Sequence, residues 1–460
     1  MIEGTPARPE LVRALGAWQA AAIVVGTIIG TGVFLKAAPM AQRCGSPGWV
    51  LAAWAAGGVL SLLGALSYAE LGAAFPRAGG EYVFLREGYG PFVGYLYGWA
   101  RFWIGTPASI AAYAVGAATF LKGVAPVGEL GGIVPVAITL IVVFTAINCL
   151  SVNAGGWLQT VLTTLKVVLI LGLAAGALLF ADGGSWARLG GGGYTGGGFP
   201  GWGPFGLAVL AALWAYDGWN NLPMAAGEVR DPGRNLPRAI VLGALVVLAV
   251  YALINVAYFY ALSFDEVATA RSDAHPDAPS VAARTAATFL GGTAQAFLAF
   301  ALTASALSAM TGSMLTGARV PFAMARDGLA PARLAHVSAR GRVPVVAVLI
   351  QGTWASLLAT SGRFDQLTDY VVFSSWMFYA LNAGAVLRLR RLRPNLPRPY
   401  LVPGYPFVPL AFLLLSSLLL VNTVVSATRQ SLTGIGFMAL GIPVYLVLHR
   451  KPPGAKPPGG

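Results

Sequence analysis

Apolar residues run along this chain in blocks long enough to cross a bilayer, separated by short polar or basic stretches. A span needs about 20 apolar residues, and twelve such blocks are centred near residues 26, 60, 106, 141, 167, 216, 250, 303, 350, 377, 412 and 440. The pattern predicts an all-α polytopic membrane protein with about 12 transmembrane helices. Two blocks are broken. Residues 24–34 read VVGTIIGTGVF, which puts Gly26, Gly30 and Gly32 inside the first block; residues 213–224 read LWAYDGWNNLPM, which puts Asp217-Gly218 mid-span in the sixth. Discontinuous helices at matching positions of two halves point to an inverted-repeat transporter with its site at the midplane.

That symmetry sets the expected organisation. Residues 1–13 form a cytoplasmic N-terminal segment and 14–449 a single transporter domain, with repeats at about 14–180 and 204–393 and two further helices at about 404–449. Residues 450–460, RKPPGAKPPGG, read as a disordered cytoplasmic tail. The first apolar block is too long for a signal-peptide h-region and reads as a span. GGGGYTGGGFPGWGP (190–204) is a flexible external connection without a phosphate-loop ending, and 263–280 is a polar external stretch with a short surface helix. At 227–240, Asp231-Pro232-Gly233 predicts a turn, with Asn235 and Pro237 capping and opening the seventh helix.

Composition agrees with the pattern: 57% of residues are hydrophobic and only 10% charged, and mean hydropathy is +0.70. Net charge is +13, but the placement of the basic residues argues for orientation over nucleic-acid binding. Of the 30 Lys and Arg, 20 fall at one set of loops and ends and eight at the other, leaving Arg101 and Lys166 inside spans. The positive-inside rule then places both termini in the cytoplasm of a plasma (inner) membrane. Cys44 and Cys149 read as inert thiols. His275, His336 and His449 all fall outside the spans, so no metal site, cofactor or enzymatic nucleophile constellation is expected.

Within the broken blocks, glycines permit close backbone approach as readily as they mark packing. Freed N–H groups at the start of the second half-helix suit a carboxylate and freed carbonyls suit an ammonium, so together they match a zwitterion. Lys166 lies about a dozen residues from either end of QTVLTTLKVVLILGL's helix, roughly 18 Å at 1.5 Å per residue, too far to snorkel. It must face protein and a partner. Asp217 either holds the unwound turn or reads an ammonium. Arg101 either lines the inner vestibule or pairs with an acid. Glu70, Glu81 and Glu228, with Arg77, Arg86, Arg230 and Arg234 nearby, suggest an inner gate network.

GTIIGTGVF, YAEL and PRAGGEYV at 68–83, NCLSV at 148–152, WAYDGWN and GEVRDPGRNLPRAI resemble the L-amino-acid transporter branch of the amino acid–polyamine–organocation superfamily. The resemblance spans about Leu15 to Arg450. It implies a LeuT-type fold, a 5+5 inverted repeat with discontinuous helices 1 and 6, and amino-acid transport by alternating access. It further implies that backbone N–H groups around Gly30, Thr31 and Gly32 hold the substrate carboxylate and that carbonyls of Ile28, Trp214, Ala215 and Asp217 meet its ammonium. Trp214 would lid the pocket, with Trp219 and Asn220 as wall or packing. In that family a lysine at position 166 takes the place of a sodium ion, and Ser305, Ser308 and Thr311 are its candidate neighbours on the eighth helix. The expected function is sodium-independent exchange or uptake of neutral L-amino acids, small ones such as alanine and serine preferred. The alternatives are a proton-coupled transporter of cationic amino acids or polyamines, and an amino-acid sensor or channel. The loop LKGVAPVGELGG lacks the cysteine through which animal members link a heavy chain, so no disulfide-linked partner is expected.

Overall fold

The computed structural model describes residues 10–190, 198–272, 274–275, 277–360, 364–426 and 428–448. The N-terminal segment up to residue 9, most of the glycine-rich connection and the 450–460 tail lie outside the described residues. Helices occupy all twelve predicted positions, and no strand longer than an isolated bridge occurs among the described residues. Uninterrupted apolar helices such as Pro47–Ala74, Val152–Phe180 and Pro232–Ala261 each run 28 to 30 residues, enough to cross a bilayer.

Local chemistry sets where they start. Ser46 accepts from the Trp49 N–H at 3.5 Å with Pro47 in the first turn, and Ser151 accepts from the Ala154 N–H at 3.0 Å to open the fifth span. The seventh span begins earlier than the Asn235–Pro237 reading: Pro232 is its first residue, after Asp231 in the left-handed region (φ 43°), and Pro237 lies inside the helix. Asn235 instead donates its amide to the Arg230 carbonyl at 2.6 Å. The polar stretch after Leu262 carries the expected short helix, Phe264–Ala268, closed by a Ser263–Glu266 capping box.

The first span is two helices, Ala17–Ile28 and Gly32–Leu35, joined where Ile29 is extended (φ −70°, ψ 95°). The sixth is a helix Trp202–Ala215, a turn, and a 3-10 helix Leu222–Glu228. The two breaks meet backbone to backbone. Gly218 has φ +133°, and a Cβ there would lie 2.6 Å from the Thr27 carbonyl carbon and oxygen, so only glycine fits. The Thr27 hydroxyl reaches the Gly218 carbonyl at 2.9 Å across the junction.

Candidate functional site

The fifth span serves the first break with a row of polar groups one turn apart. Thr163 Oγ1 donates to the Ala22 carbonyl at 3.0 Å, with Gln159 Nε2 at 3.3 Å from the same oxygen. Lys166, fully buried, donates its ammonium to the Gly26 carbonyl at 2.6 Å and to that of Ile29. Gly26 is what lets this row approach: a Cβ there would stand 2.0 Å from Gln159 Nε2 and 2.2 Å from Thr163 Oγ1. Of the eighth-span hydroxyls, Ser305 donates to the Gly30 carbonyl at 2.9 Å and lies 3.4 Å from that of Ile29, the oxygen Lys166 also uses. Ser308 turns to the fifth span, 3.2 Å from Thr163 and 3.5 Å from Gln159 Nε2, and Thr311 donates to its own helix at Leu307.

The remaining break carbonyls gather around a group the sequence did not single out. Tyr251 of the seventh span donates its hydroxyl to the Ala215 carbonyl at 3.0 Å and lies 3.3 Å from that of Ile28. One hydroxyl hydrogen serves two carbonyls, so one of the pair retains acceptor capacity. The seventh block holds three tyrosines, Tyr251, Tyr258 and Tyr260, and a buried hydroxyl must find a partner, but residue type alone does not tell which of them reaches the breaks.

The three glycines at the first break divide by role. A Cβ on Gly32 would meet Ala215 Cβ at 2.7 Å and Trp214 Cζ3 at 3.1 Å, so Gly32 is where the second half-helix presses on the sixth span. A Cβ on Gly30 would meet nothing within 4 Å. Gly32→Ala is therefore expected to lower the melting temperature, while Gly30→Ala folds at wild-type stability and weakens substrate binding by filling space beside the break. Equal melting temperatures for the two variants would contradict this division.

Trp214 lies half-buried against Gly32, with the Lys36 ammonium 4.6 Å from its ring centroid. Asp217 accepts from the Tyr379 hydroxyl at 2.6 Å. Trp219 is placed among aromatics, with ring centroids 4.6 Å from Tyr68, 5.3 Å from Tyr379 and 5.8 Å from Phe412. Arg101 sits on a π-helical turn of the third span, Arg101–Gly105, and donates to the Asn221 side-chain carbonyl at 2.6 Å, in place of the acidic partner the sequence suggested.

At the suggested gate network the three acids find partners other than their neighbours in sequence. Glu228 takes a bidentate pair from Arg319 at 2.9 Å for both bonds, and both side chains are buried. Glu70 accepts from Arg390 at 2.9 and 2.6 Å and from the Val402 N–H at 2.7 Å. Glu81 is caged by neutral donors: Tyr68 and Tyr97 at 2.6 Å each, Asn220 at 3.1 Å and Asn382 at 3.3 Å. None of these acids pairs with Arg77, Arg86, Arg230 or Arg234; the nearest cation in sequence is exposed where the buried partner comes from another helix. Arg86 and Arg77 bind Glu87, and Arg86 also binds Asp327. Leu15 and Val229 form a parallel bridge, with the Leu15 N–H donating to the Glu228 carbonyl at 2.8 Å, which ties the chain entering the first span to this end of the sixth.

No cluster of three metal-ligating side chains occurs among the described residues. Cys44 is buried, and burial, against the pull of Arg43, pushes its thiol up to about 11, consistent with an inert thiol.

The family model for "Amino acid permease" matches residues 15–448. The chain is 32% identical over 451 residues to the serine/threonine exchanger SteT of Bacillus subtilis (strain 168), covering 96% of this chain and 98% of that protein. It is 32% identical to the human b(0,+)-type amino acid transporter 1, covering 97% and 90%, and 29% identical to the rat large neutral amino acids transporter small subunit 2, covering 95% and 81%. With a family match over nearly the whole chain and two broken helices meeting at mid-span, this multi-pass membrane protein belongs to the amino acid permease family.

Proposed function

We propose that the protein is a sodium-independent exchanger of neutral L-amino acids, with the zwitterion held between the broken first and sixth spans. The observation that carries this is the pair of bonds from Lys166 to the Gly26 and Ile29 carbonyls. An ammonium there supplies the positive charge that would otherwise need an ion, and it is covalently part of the protein. The substrate carboxylate goes to the N–H groups around Gly30, Thr31 and Gly32, and its ammonium to the carbonyls of Ile28, Trp214, Ala215 and Asp217. Trp214, backed by Lys36, covers the site from outside. Serine/threonine exchange in the bacterial relative and neutral amino acids in the rat relative's name support this substrate class.

A cationic substrate is disfavoured by the Tyr379 hydroxyl, which occupies one Asp217 oxygen, and by the Arg101 guanidinium on the cavity that Tyr379 also lines. Both termini lie in the cytoplasm of a prokaryotic plasma membrane, in line with the distribution of basic residues. No disulfide-linked partner is required, since the connection 122–132 between the third and fourth spans holds no cysteine.

Counterflow tests the reading. Proteoliposomes preloaded with alanine are expected to accumulate labelled neutral amino acids at the same rate with and without a sodium gradient, and arginine and putrescine fail to compete. Uptake that depends on sodium would overturn the proposal. Ion currents far above carrier turnover would identify a channel, and binding without counterflow a sensor.

A further inference from the structure

One small cavity lies beside the breaks, lined among others by Glu81, Tyr97, Arg101, Asn220, Ser375 and Tyr379, with room for about one water-sized group. Tyr379 connects it to the site above, because Tyr379 lines this space and its hydroxyl donates to Asp217. Two polar atoms of the lining residues are buried and have no partner: Arg101 Nε and Asn220 Oδ1. Buried polar groups left unmade are costly, so such a pair calls for an occupant.

The orientation of each is fixed by its other bonds. Arg101 Nη2 is committed to Asn221 Oδ1 at 2.6 Å. Asn220 Nδ2 donates to Glu81 Oε2 at 3.1 Å, and a carboxylate that accepts there requires the amide nitrogen on that side, which turns the Asn220 carbonyl oxygen the other way. The residues that line the cavity therefore keep one N–H donor and one C=O acceptor unpaired. A hydroxyl satisfies both at once. An ionised carboxylate only accepts, an ammonium only donates and meets the guanidinium charge, and a methyl group satisfies neither. A primary carboxamide has the right chemistry and more bulk than the space favours.

We propose that Arg101 Nε and Asn220 Oδ1 form a side-chain subsite that selects short hydroxyl-bearing amino acids, the class of serine and threonine, over their apolar isosteres. The inference rests on the transport reading above and adds the residues that set its specificity. A site built to bond a substrate hydroxyl rejects the analogue that lacks it far more strongly than a pocket rejects a missing methylene.

The test compares kcat/KM for serine against alanine and for threonine against 2-aminobutyrate, pairs that differ by one hydroxyl, in alanine-loaded proteoliposomes. Wild type is expected to favour the hydroxyl member by about tenfold or more. The ratio falls toward one in Arg101→Lys, which keeps the charge and replaces Nε by a methylene, and in Asn220→Leu, which keeps the volume and removes the acceptor. A wild-type ratio near one overturns the proposal, and so does a preference that persists undiminished in both variants, which would leave the cavity to a structural water. If the variants do not reach the membrane, the wild-type ratio and the relative shift of its melting temperature by serine and alanine decide. Failure of wild type to transport any amino acid would instead overturn the exchanger reading itself.

Discussion

Counterflow falls at least a hundredfold when Lys166 is replaced by alanine, with a much smaller change in melting temperature. Two opposed terms produce that split. Removing the ammonium leaves the buried Gly26 carbonyl without its donor, and the Ile29 carbonyl with only the Ser305 hydroxyl at 3.4 Å, a cost of about 1–3 kcal/mol for a group left unmade. It also removes a charge from mid-membrane, which recovers about 2.5–3.5 kcal/mol on insertion scales. The net effect on folding is a few kcal/mol at most, while the geometry of the break loses the one charged group that spans it. Lys166→Met separates the cavity from the charge, because it fills the stem's volume and donates nothing. Methionine is expected to restore melting temperature and not transport; wild-type counterflow in Lys166→Met would mean the lysine is a strut.

Much of the architecture was legible because bilayer physics leaves few choices. Block length alone gave the twelve helix positions, and Gly30 and Asp217-Gly218 marked the breaks because nothing else explains glycine and an acid at mid-span. What the pattern could not supply was pairing. Arg319 lies 91 positions from Glu228 and Arg390 lies 320 from Glu70, so proximity in sequence pointed to the wrong cations. Tyr251 escaped for a related reason: a tyrosine in an apolar block looks like core until its hydroxyl is seen between two broken helices. The family resemblance set Gly30 and Gly32 apart as carboxylate-binding positions, but it did not divide the three glycines by what they admit. Gly26 admits the polar row of the fifth span, Gly32 admits the sixth span, and Gly30 alone faces open space. The Asn235–Pro237 start failed because Pro232 is an equally good first residue, and the strained Asp231 before it could not be read from residue type.

Glu228→Gln is expected to destabilise the folded protein by about 3–5 kcal/mol, the cost of leaving a buried charge without its partner. Arg319 has a side chain only 2% exposed, and both oxygens of Glu228 are spent on it. A neutral amide offers one acceptor where two charged ones stood, and water cannot reach the remaining guanidinium. The double variant Glu228→Leu with Arg319→Met is expected to regain most of that stability, since well-packed apolar residues often replace a buried ion pair at no net cost. Transport separates the two consequences. The Glu228 carbonyl also accepts from the Leu15 N–H, and the Arg230 N–H donates to Leu15 at 2.9 Å, so the pair sits where the chain entering the first span is tied to the end of the sixth. If alternating access opens this end, the contact must break and reform in each cycle. An ion pair with fixed bidentate geometry reforms in one register, whereas an apolar contact holds the two segments with less directional preference. The double variant should therefore melt like wild type and exchange at a clearly lower rate, and wild-type exchange in it would show that this end of the molecule does not move during transport.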